Sequence, residues 1–281
     1  HLRWPVRATR AVRDKAAAPA PRRPRAMASS AFHCAGCCVA GSRGEEPGPA
    51  VASKSLWFQM DETASPKGQV VEMGTVQLSS GATYTGQWRD GRRHGRGVLS
   101  RPDGGSYEGE FEDDRAVGRG KFTHTNGDVY EGQWLNDKAH GCGRFNHADG
   151  ASYEGEWEQD MKSGKGSESW HDGSSYEGEY KEGKKHGKGH FRSCDGSTYA
   201  GQFFDDAMQG DGIYTFADGR VYQGQWVESQ MTGRGNMRWP DGRWYEGSYL
   251  EDRKSGEGKF SWPDGRSYVG EWQFGRQHGI G

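Results

Sequence analysis

Three histidines recur at a constant spacing along the chain and are the first candidates for metal binding: His94, His140 and His186. Imidazole is a common zinc ligand, but a zinc site needs several ligands in one coordination sphere. In a repeating sheet, positions separated by four strands lie about 20 Å apart. The spacing therefore indicates loop histidines that bond local backbone groups. His124 and His147 lie closer together in the pattern, but no third ligand accompanies them, and we expect no metal site.

A cluster of thiols lies near the start of the chain, where His33 and Cys34 are followed by Cys37 and Cys38. Four ligands within six residues cannot easily surround zinc as a tetrahedron, so a free thiol cluster is the favoured interpretation. Cysteines near a terminus can also carry acyl chains, which makes Cys37 and Cys38 candidate acylation sites that would tether the chain to a membrane. The total of five cysteines is odd and favours a reducing compartment.

Glycine and lysine are interspersed between Gly183 and Gly189, a composition that suggests a phosphate-binding loop. Such a loop needs a Ser or Thr after its lysine and a flanking strand and helix, and this segment has neither. The abundant acidic residues recur with the period of a strand, which is typical of a solvated face. No nucleophile, oxyanion donors or cofactor pocket can be assembled from what recurs. We therefore expect no enzymatic activity and no cofactor in this chain, although a longer parent chain could carry a catalytic domain.

A repeated tripeptide, Tyr-x-Gly, defines the structural elements that must position all these residues. It recurs without insertion or deletion at every twenty-third position, as Tyr84, Tyr107, Tyr130, Tyr153, Tyr176, Tyr199, Tyr222, Tyr245 and Tyr268. A fixed period of about 20 to 50 residues is typical of stacked supersecondary units rather than one closed core. Only 32% of residues are apolar, yet the chain holds 11 Trp, 12 Tyr, 11 Phe and 46 Gly. This composition predicts a thin sheet that buries rings among glycines.

Alternation with a period of two predicts two strands in each unit, with two different faces. Tyr153, Gly155 and Trp157 mark one face, while Glu154 and Glu156 mark the other. Two more glycines follow later in each unit, such as Gly141 and Gly143, and we expect them to permit the tight reversal between the strands. An Asp-Gly pair ends most units and predicts a turn into the next one. Because strands lie about 4.8 Å apart, glycine also makes room for the rings.

Two units show the full pattern: Tyr153-Glu154-Gly155-Glu156-Trp157 with Gly164-Lys165-Gly166, and Tyr176-Glu177-Gly178-Glu179-Tyr180 with His186-Gly187-Lys188-Gly189. This pattern resembles MORN (membrane occupation and recognition nexus) repeats over about residues 72–281. The resemblance implies an all-β fold, an elongated single-layer antiparallel sheet of stacked β-hairpins. It also implies a module for protein interaction or membrane apposition, as in junctional, ciliary and cytoskeletal proteins and in accessory regions of lipid kinases and lysine methyltransferases. The departures are modest: Glu168 replaces an expected aromatic residue, and Ala200 and Val269 replace an acid.

The chain divides at about residue 72. Residues 1–71 start with a net charge of +7 over positions 1–26 and continue rich in Gly, Ala and Pro, which predicts a largely disordered segment that includes a leader. Residues 72–281 hold a half-repeat around Gly74 and nine units, and the incomplete ninth suggests a truncated sequence. From Gly81 onward, 26 Lys plus Arg stand against 33 Asp plus Glu, a net of −7. Nucleic acid is therefore not an expected partner.

The ring-bearing side is the stronger candidate for a binding groove, because a single sheet layer leaves it without a second layer. Its rings must pack on one another or accept an apolar strand or helix from a partner protein or a second copy. The candidate groove residues are Tyr107, Tyr130, Trp134, Tyr153, Trp157, Tyr176, Tyr222, Trp226, Tyr245, Trp239 and Trp262. We expect protein partners, with a homodimer through the array as the second arrangement.

Basic residues cluster in two loops and are candidates for contact with an anionic membrane surface: Arg89, Arg92, Arg93, Lys181, Lys184, Lys185 and Lys188. Such clusters attract lipid headgroups at about 1 kcal/mol per charge. Acidic loops elsewhere, such as Asp205-Asp206, oppose this attraction. Contact with phospholipid therefore stays the weaker alternative.

The favoured hypothesis is a non-enzymatic cytoplasmic scaffold whose repeat array binds partner proteins in a ciliary, cytoskeletal or membrane-apposed assembly. One alternative is the regulatory MORN region of an enzyme that resembles phosphatidylinositol phosphate kinases, with its catalytic domain beyond residue 281. The other alternative is a phospholipid or membrane tether.

Overall fold

A computed structural model describes residues 67–281. The expectations for a disordered segment and for acylation at Cys37 and Cys38 lie outside the described residues. Within the described part every regular element is a β-strand, and all 19 strands join in one open sheet. Each strand pairs antiparallel with the next along the chain, as in the hairpin of β4 and β5. The predicted all-β fold of stacked hairpins is confirmed.

The strands follow one another at nearly constant length. They are β1 (Val70–Gln77), β2 (Thr83–Arg89), β3 (Arg92–Ser100), β4 (Ser106–Glu112), β5 (Arg115–Thr123), β6 (Val129–Leu135), β7 (Lys138–Asn146), β8 (Ser152–Glu158), β9 (Met161–Ser169), β10 (Ser175–Lys181), β11 (Lys184–Arg192), β12 (Thr198–Phe204), β13 (Ala207–Thr215), β14 (Val221–Val227), β15 (Gln230–Arg238), β16 (Trp244–Leu250), β17 (Arg253–Ser261), β18 (Ser267–Gln273) and β19 (Arg276–His278). At one edge β1 pairs with β2, and at the other β19 pairs with β18.

The two sides of the sheet differ in chemistry, as the alternation predicts. The ring face carries each Tyr, the Gly two residues later and the aromatic residue four later, and these rings form the core. The outer face carries charges that pair across strands, for example Glu108 opposite Lys121 and Lys121 opposite Glu131. Opposite charges on directly paired strand positions stabilise a sheet modestly. One face is therefore held by ring packing and the other by solvated charge.

The tight reversal inside each unit lies six and seven residues after the tyrosine, and its predicted position at the glycines was wrong. Asn136 and Asp137 have φ of 50° and 66°, and Asp205 and Asp206 have φ of 50° and 71°. Two successive left-handed residues match the twist of a two-residue hairpin turn. Asn and Asp tolerate this conformation better than other residues with a Cβ. The turn was missed because several units use acids here rather than the familiar Asn-Gly or Asp-Gly pair.

The first glycine after this reversal lies in a β-bulge instead. In the second unit the register shifts between Gly109 and Glu110, which leaves Gly118 with a φ of 59° on the opposite strand. A side chain from the first strand fills the bulge; in the third unit Gln133 Oε1 accepts the backbone N–H of Cys142 at 2.8 Å. The Asp-Gly pair lies in the turn between units, as predicted, with Gly104 at a φ of 92°. The prediction was therefore wrong for the glycines that follow the reversal and right for the Asp-Gly turn between units.

Hydrogen bonds between successive turns join one unit to the next. Asp137 Oδ1 accepts the backbone N–H of Ala116 at 2.8 Å, and Asp160 Oδ1 accepts that of Ala139 at 2.7 Å. The same contact is made by Asp114, Asp206, Ser229 and Asp252 with the preceding unit. The equivalent position in the first, fifth and ninth units has no side chain to make it, since it holds Gly91, Gly183 and Gly275. We call these contacts the turn bonds.

Replacement of Asp137 by alanine is expected to lower the free energy of unfolding by about 2 kcal/mol, because it removes a turn bond and leaves in the left-handed region a residue that tolerates this conformation less well than aspartate. Replacement by glycine also removes the bond, but glycine adopts the left-handed conformation without a steric penalty, and the cost should be about 1 kcal/mol. Urea unfolding of the full chain measures both. A loss for alanine no larger than that for glycine would contradict the assigned turn conformation.

Candidate binding face

Aromatic rings form a continuous row along the ring face. From the second unit onward, the ring four residues after the tyrosine lies edge-on between its own tyrosine and that of the preceding unit. Trp157 lies 5.1 Å from Tyr153 and 5.2 Å from Tyr130, with interplanar angles of 89° and 84°. Edge-to-face contacts at this distance stabilise aromatic pairs beyond the apolar area that they bury. Each ring therefore links two units.

Glycines make this row possible on a sheet with one layer. A Cβ at Gly166 or Gly189 would overlap the ring and hydroxyl of the tyrosine on the neighbouring strand. The tyrosine hydroxyl turns back and donates to the carbonyl three residues on, as Tyr153 does to Glu156 at 2.9 Å. Burial raises the pKa of Tyr199 to about 12. Tyr199 is thus a neutral structural group at physiological pH.

The predicted groove residues divide into two sets. Nine of them are less than 6% exposed: Tyr107, Tyr130, Trp134, Tyr153, Trp157, Tyr176, Tyr222, Trp226 and Tyr245. The remaining two, Trp239 and Trp262, are half-buried at the turns between units. A partner on this face would therefore meet the two tryptophans directly, whereas the other nine rings lie beneath their neighbours.

A second row of rings lies along one margin of the ring face, at the first residue after the second strand of a unit. Its members are His124, His147, Trp170, Phe216, Trp239 and Trp262, and we call it the edge row. Trp239 packs 5.5 Å from Phe260 of the next unit, and Trp170 lies 6.1 Å from Phe191 in the same way. Four of these six were absent from the predicted groove. The recurrence of rings at this one position was the signal that could have found them.

Cations lie over the rings at the position that pairs directly with the buried row. This position, nine residues after the tyrosine, holds Arg93, Lys162, Lys185 and Lys254 in four units. Lys254 Nζ lies 4.2 Å from the ring centre of Trp272 and 4.6 Å from that of Phe260. Cation–π contacts of this kind are favourable when partly desolvated. The ring face is therefore aromatic and cationic, in contrast to the net acidity of the array.

The predicted lipid-facing residues are for the most part occupied by contacts within the protein. Arg93 bonds Asp114 at 3.1 Å and lies over the Phe111 ring. Arg89 bonds Asp113 at 3.2 Å, and Lys184 bonds Asp205 at 2.8 Å. Lys185 lies against the Trp170 and Tyr176 rings. These contacts compete with a lipid surface for the same charges.

Glu168, which replaces an expected ring, forms a polar cluster on the ring face. Its two oxygens bond Lys162 Nζ and the Tyr180 hydroxyl, the latter at 2.9 Å. Burial and the adjacent carboxylate raise the pKa of Tyr180 well above its usual range. A buried carboxylate is tolerated when it is paired and hydrogen-bonded in this way. The departure from the repeat pattern is therefore compensated locally.

Lys254 differs from Lys162 and Arg93 because no carboxylate of the described residues pairs with its ammonium group. Burial, together with the nearby Arg243, lowers the pKa of Lys254 to about 8. Lys185 also has a lowered pKa, again chiefly through burial. Both side chains are only half-buried. Two desolvated ammonium groups thus remain reachable from the ring face.

Replacement of Lys254 by methionine is expected to raise the free energy of unfolding near pH 7 by about 1 kcal/mol, a value reduced for partial exposure. The native pKa is lowered below the unfolded value of about 10.4. Between about pH 8 and 10 the unfolded state therefore binds more protons, and the stability of the unsubstituted protein rises with pH. The advantage of methionine should shrink over that interval. Urea unfolding at several pH values measures it, and an advantage that stays constant would contradict the buried-charge explanation.

His94, His140 and His186 lie within strands β3, β7 and β11, and Nδ1 of both His94 and His186 bonds no backbone group, so the expectation of loop histidines bonded to the backbone was wrong. His94 Nδ1 lies 3.7 Å from Asp113 Oδ1, and His186 packs 5.1 Å from the Phe204 ring. Among residues 67–281 no group of three or more His, Cys, Asp or Glu side chains is arranged to hold a metal ion. That part of the chain also contains no helix long and apolar enough to span a membrane.

Comparison with known families matches nine consecutive copies of the MORN repeat. They lie at residues 84–106, 107–129, 130–152, 153–175, 176–198, 199–219, 222–242, 245–265 and 268–281. A comparison with curated proteins finds no match.

Two of the similar solved structures are domains of one protein type. The TCP domain of SAS-4 (dCPAP) from Drosophila melanogaster, in complex with a proline-rich motif of Ana2 (dSTIL), is 12% identical at a TM-score of 0.35, over 56% of this chain and 85% of that one. The TCP10 domain of CPAP from Danio rerio is 11% identical at a TM-score of 0.39, over 70% of this chain and 93% of that one. Likenesses this weak carry no argument about function.

Proposed function

Because the chain belongs to the MORN repeat family, we propose that it is a non-enzymatic interaction module that binds partner proteins along the edge row of its ring face. The observation that supports this most is the half-exposed Trp239 and Trp262 beside rings that are fully buried. Accessible aromatic rings beside a packed core are typical of protein-binding hot spots. The assembly that we propose is cytoplasmic and cytoskeletal or ciliary.

A membrane tether is the weaker proposal for the described residues. The basic side chains that would face lipid are largely paired with acids of the following unit or packed on rings. Headgroup attraction needs several free charges close to the surface. No contact of the described residues favours a kinase-like parent enzyme over the scaffold.

The test compares partner capture by the full chain and by two double variants. Replacement of Trp239 and Trp262 by serine removes the accessible rings, while replacement of Trp244 and Val227 by serine removes two apolar side chains from the outer face. Quantitative mass spectrometry of proteins captured from cell extract should show a defined set that the first variant loses and the second keeps. Light scattering of the purified chain separates this from a homodimer. A captured set that neither variant changes would contradict the proposed face.

A further inference from the structure

Two equivalent clusters on the ring face combine an ammonium group with a half-exposed tryptophan. In one, Lys254 Nζ lies 5.6 Å from the ring centre of Trp239 and 5.2 Å from that of Tyr245. In the other, Lys185 Nζ lies 4.9 Å from the centre of Trp170. Each lysine belongs to the unit after its tryptophan, and the two clusters are three units apart. We call these two clusters the lysine subsites.

The acidic side chains near the lysine subsites already bond other groups of the protein. Glu168 bonds Lys162 and Tyr180, and Asp206 accepts the backbone N–H of Lys185 at 2.9 Å. Near Lys254 lies another cation, Arg243, and its guanidinium pairs with Asp241 at 2.8 Å. Partly desolvated cations without a dedicated carboxylate are favourable places for an acid of a partner, because charge-assisted bonds are strong where water is displaced.

The surface between the lysine subsites is mainly apolar, although the Arg220 guanidinium lies 4.3 Å from the ring centre of Phe216 and pairs with Asp218 at 2.8 Å. Met208 and Met231 occupy the lysine position in the two intervening units, and Tyr214 and Phe216 lie half-buried in the first of these units. Methionine adapts its shape to a variety of apolar partners. Three units of two strands each separate the subsites by about 29 Å along the sheet. An extended peptide covers that distance with about nine residues.

From this arrangement, and resting on the proposed function, we propose that the ring face binds an acidic protein segment with two carboxylates that flank an apolar stretch. One carboxylate pairs with Lys185 and the other with Lys254, while the apolar stretch lies on Met208, Tyr214 and Phe216. Charge complementarity identifies the occupant, because Lys185 and Lys254 form no ion pair among the described residues, whereas Arg220 and Arg243 on the same face pair with Asp218 and Asp241.

Single-stranded nucleic acid fits the same face less well. Its binding grooves follow the phosphate backbone with continuous positive charge and stack successive bases on rings. Here the two lysine subsites are far apart, with methionines between them. The net charge of −7 from Gly81 onward opposes a polyanion. Isolated carboxylates at a matching separation satisfy the same cations without that repulsion.

The experiment selects random linear peptides, displayed on phage, against the full chain and against two charge-matched variants. The test variant carries Lys185→Met and Lys254→Met, and the array itself accepts Met at this position in two units. The control variant carries Lys188→Met and Lys259→Met on the outer face. Thermal unfolding followed by circular dichroism verifies that both variants fold.

The unsubstituted chain should select peptides with one acidic residue on each side of an apolar stretch. Fluorescence polarisation of the selected peptides should show about tenfold weaker binding for each lost lysine and little change for the control variant. Selected peptides without an acidic excess, or an equal loss in the control, would overturn this inference and leave the proposed function intact. Failure to select any peptide overturns it as well, and the capture experiment then decides the proposed function separately. Displacement of the peptides by oligothymidylate would assign the face to nucleic acid instead.

Discussion

Replacement of Gly189 by alanine is expected to destabilise the array by about 3 kcal/mol, at the upper end of the range for an overpacked core. An added Cβ would overlap the ring and hydroxyl of Tyr176, which is 1% exposed and has no space to withdraw. Tyr176 also contacts Tyr180 and Phe203 edge-on, so a shift of its ring would disturb two units. Urea unfolding of the full chain, followed by far-UV circular dichroism, measures the loss.

The matched control is Gly105, where alanine should change stability by less than about 0.5 kcal/mol. The nearest atom to an added Cβ there is the Asp103 carboxylate, at 3.3 Å. Ala151 occupies the equivalent place in the third unit and is buried there. If Gly189→Ala cost no more than Gly105→Ala, the inference that glycine exists to accommodate the tyrosine rings would be wrong.

Replacement of Trp157 by alanine is expected to lower the free energy of unfolding by about 4 kcal/mol, as for other large aromatic residues cut back in a core. The side chain is 5% exposed, and its Nε1 donates to the carbonyl of Gly143 at 3.0 Å. It also contacts Tyr130 and Tyr153 edge-on. Removal therefore opens a cavity between two units and leaves a carbonyl without that donor.

Trp244 supplies the control because it is the same residue type on the outer face. It is half-buried, and Lys259 Nζ lies 5.4 Å from its ring centre. We expect Trp244→Ala to cost about 1 kcal/mol, since most surface substitutions have small effects. A similar loss of unfolding free energy for Trp157→Ala and Trp244→Ala would contradict the inference that the ring face stabilises the array.

The sequence was sufficient to predict the fold because one position dominates each unit. Tyr84 and its equivalents set both the period and the buried face, and the strand alternation around them follows directly. The exact place of the chain reversal could not be predicted in the same way. Asn136 and Asp137 adopt left-handed conformations through their local bonds and the twist of the hairpin, and their sequence is not specific to that turn.

The candidate site was only partly accessible to sequence reasoning. Trp239 and Trp157 are equally plausible groove residues in the sequence, yet the first is half-buried and the second is covered by neighbouring rings. Which rings are covered depends on how successive units pack, and a repeat pattern does not state this. Lys185 likewise belonged to a predicted basic loop, whereas its ammonium group lies against Trp170 and Tyr176. The location of the charged end of such a long side chain depends on the groups that it contacts, and its position in the sequence does not determine this.

The turn bonds have a consequence for how the array comes apart. Repeat arrays unfold as chains of nearest neighbours, so the weakest junction decides where an opening starts. Between the fourth and fifth units only the side-chain turn bond is missing, since Gly183 keeps its backbone bond to the Lys162 carbonyl at 2.9 Å. At the same junction Glu168 replaces a packed ring with polar contacts to Lys162 and Tyr180. We therefore expect the array to unfold as two cooperative blocks that meet at this weak junction. Hydrogen exchange should be fastest among interior strands at β9 and β10, and uniform protection across them would contradict this division.

The first lysine subsite lies across this weak junction, because Trp170 belongs to the fourth unit and Lys185 to the fifth. A partner bound there would contact both blocks at once and clamp them together. Binding of the partner would then reduce local unfolding at that junction, and variants that favour this unfolding would weaken the binding.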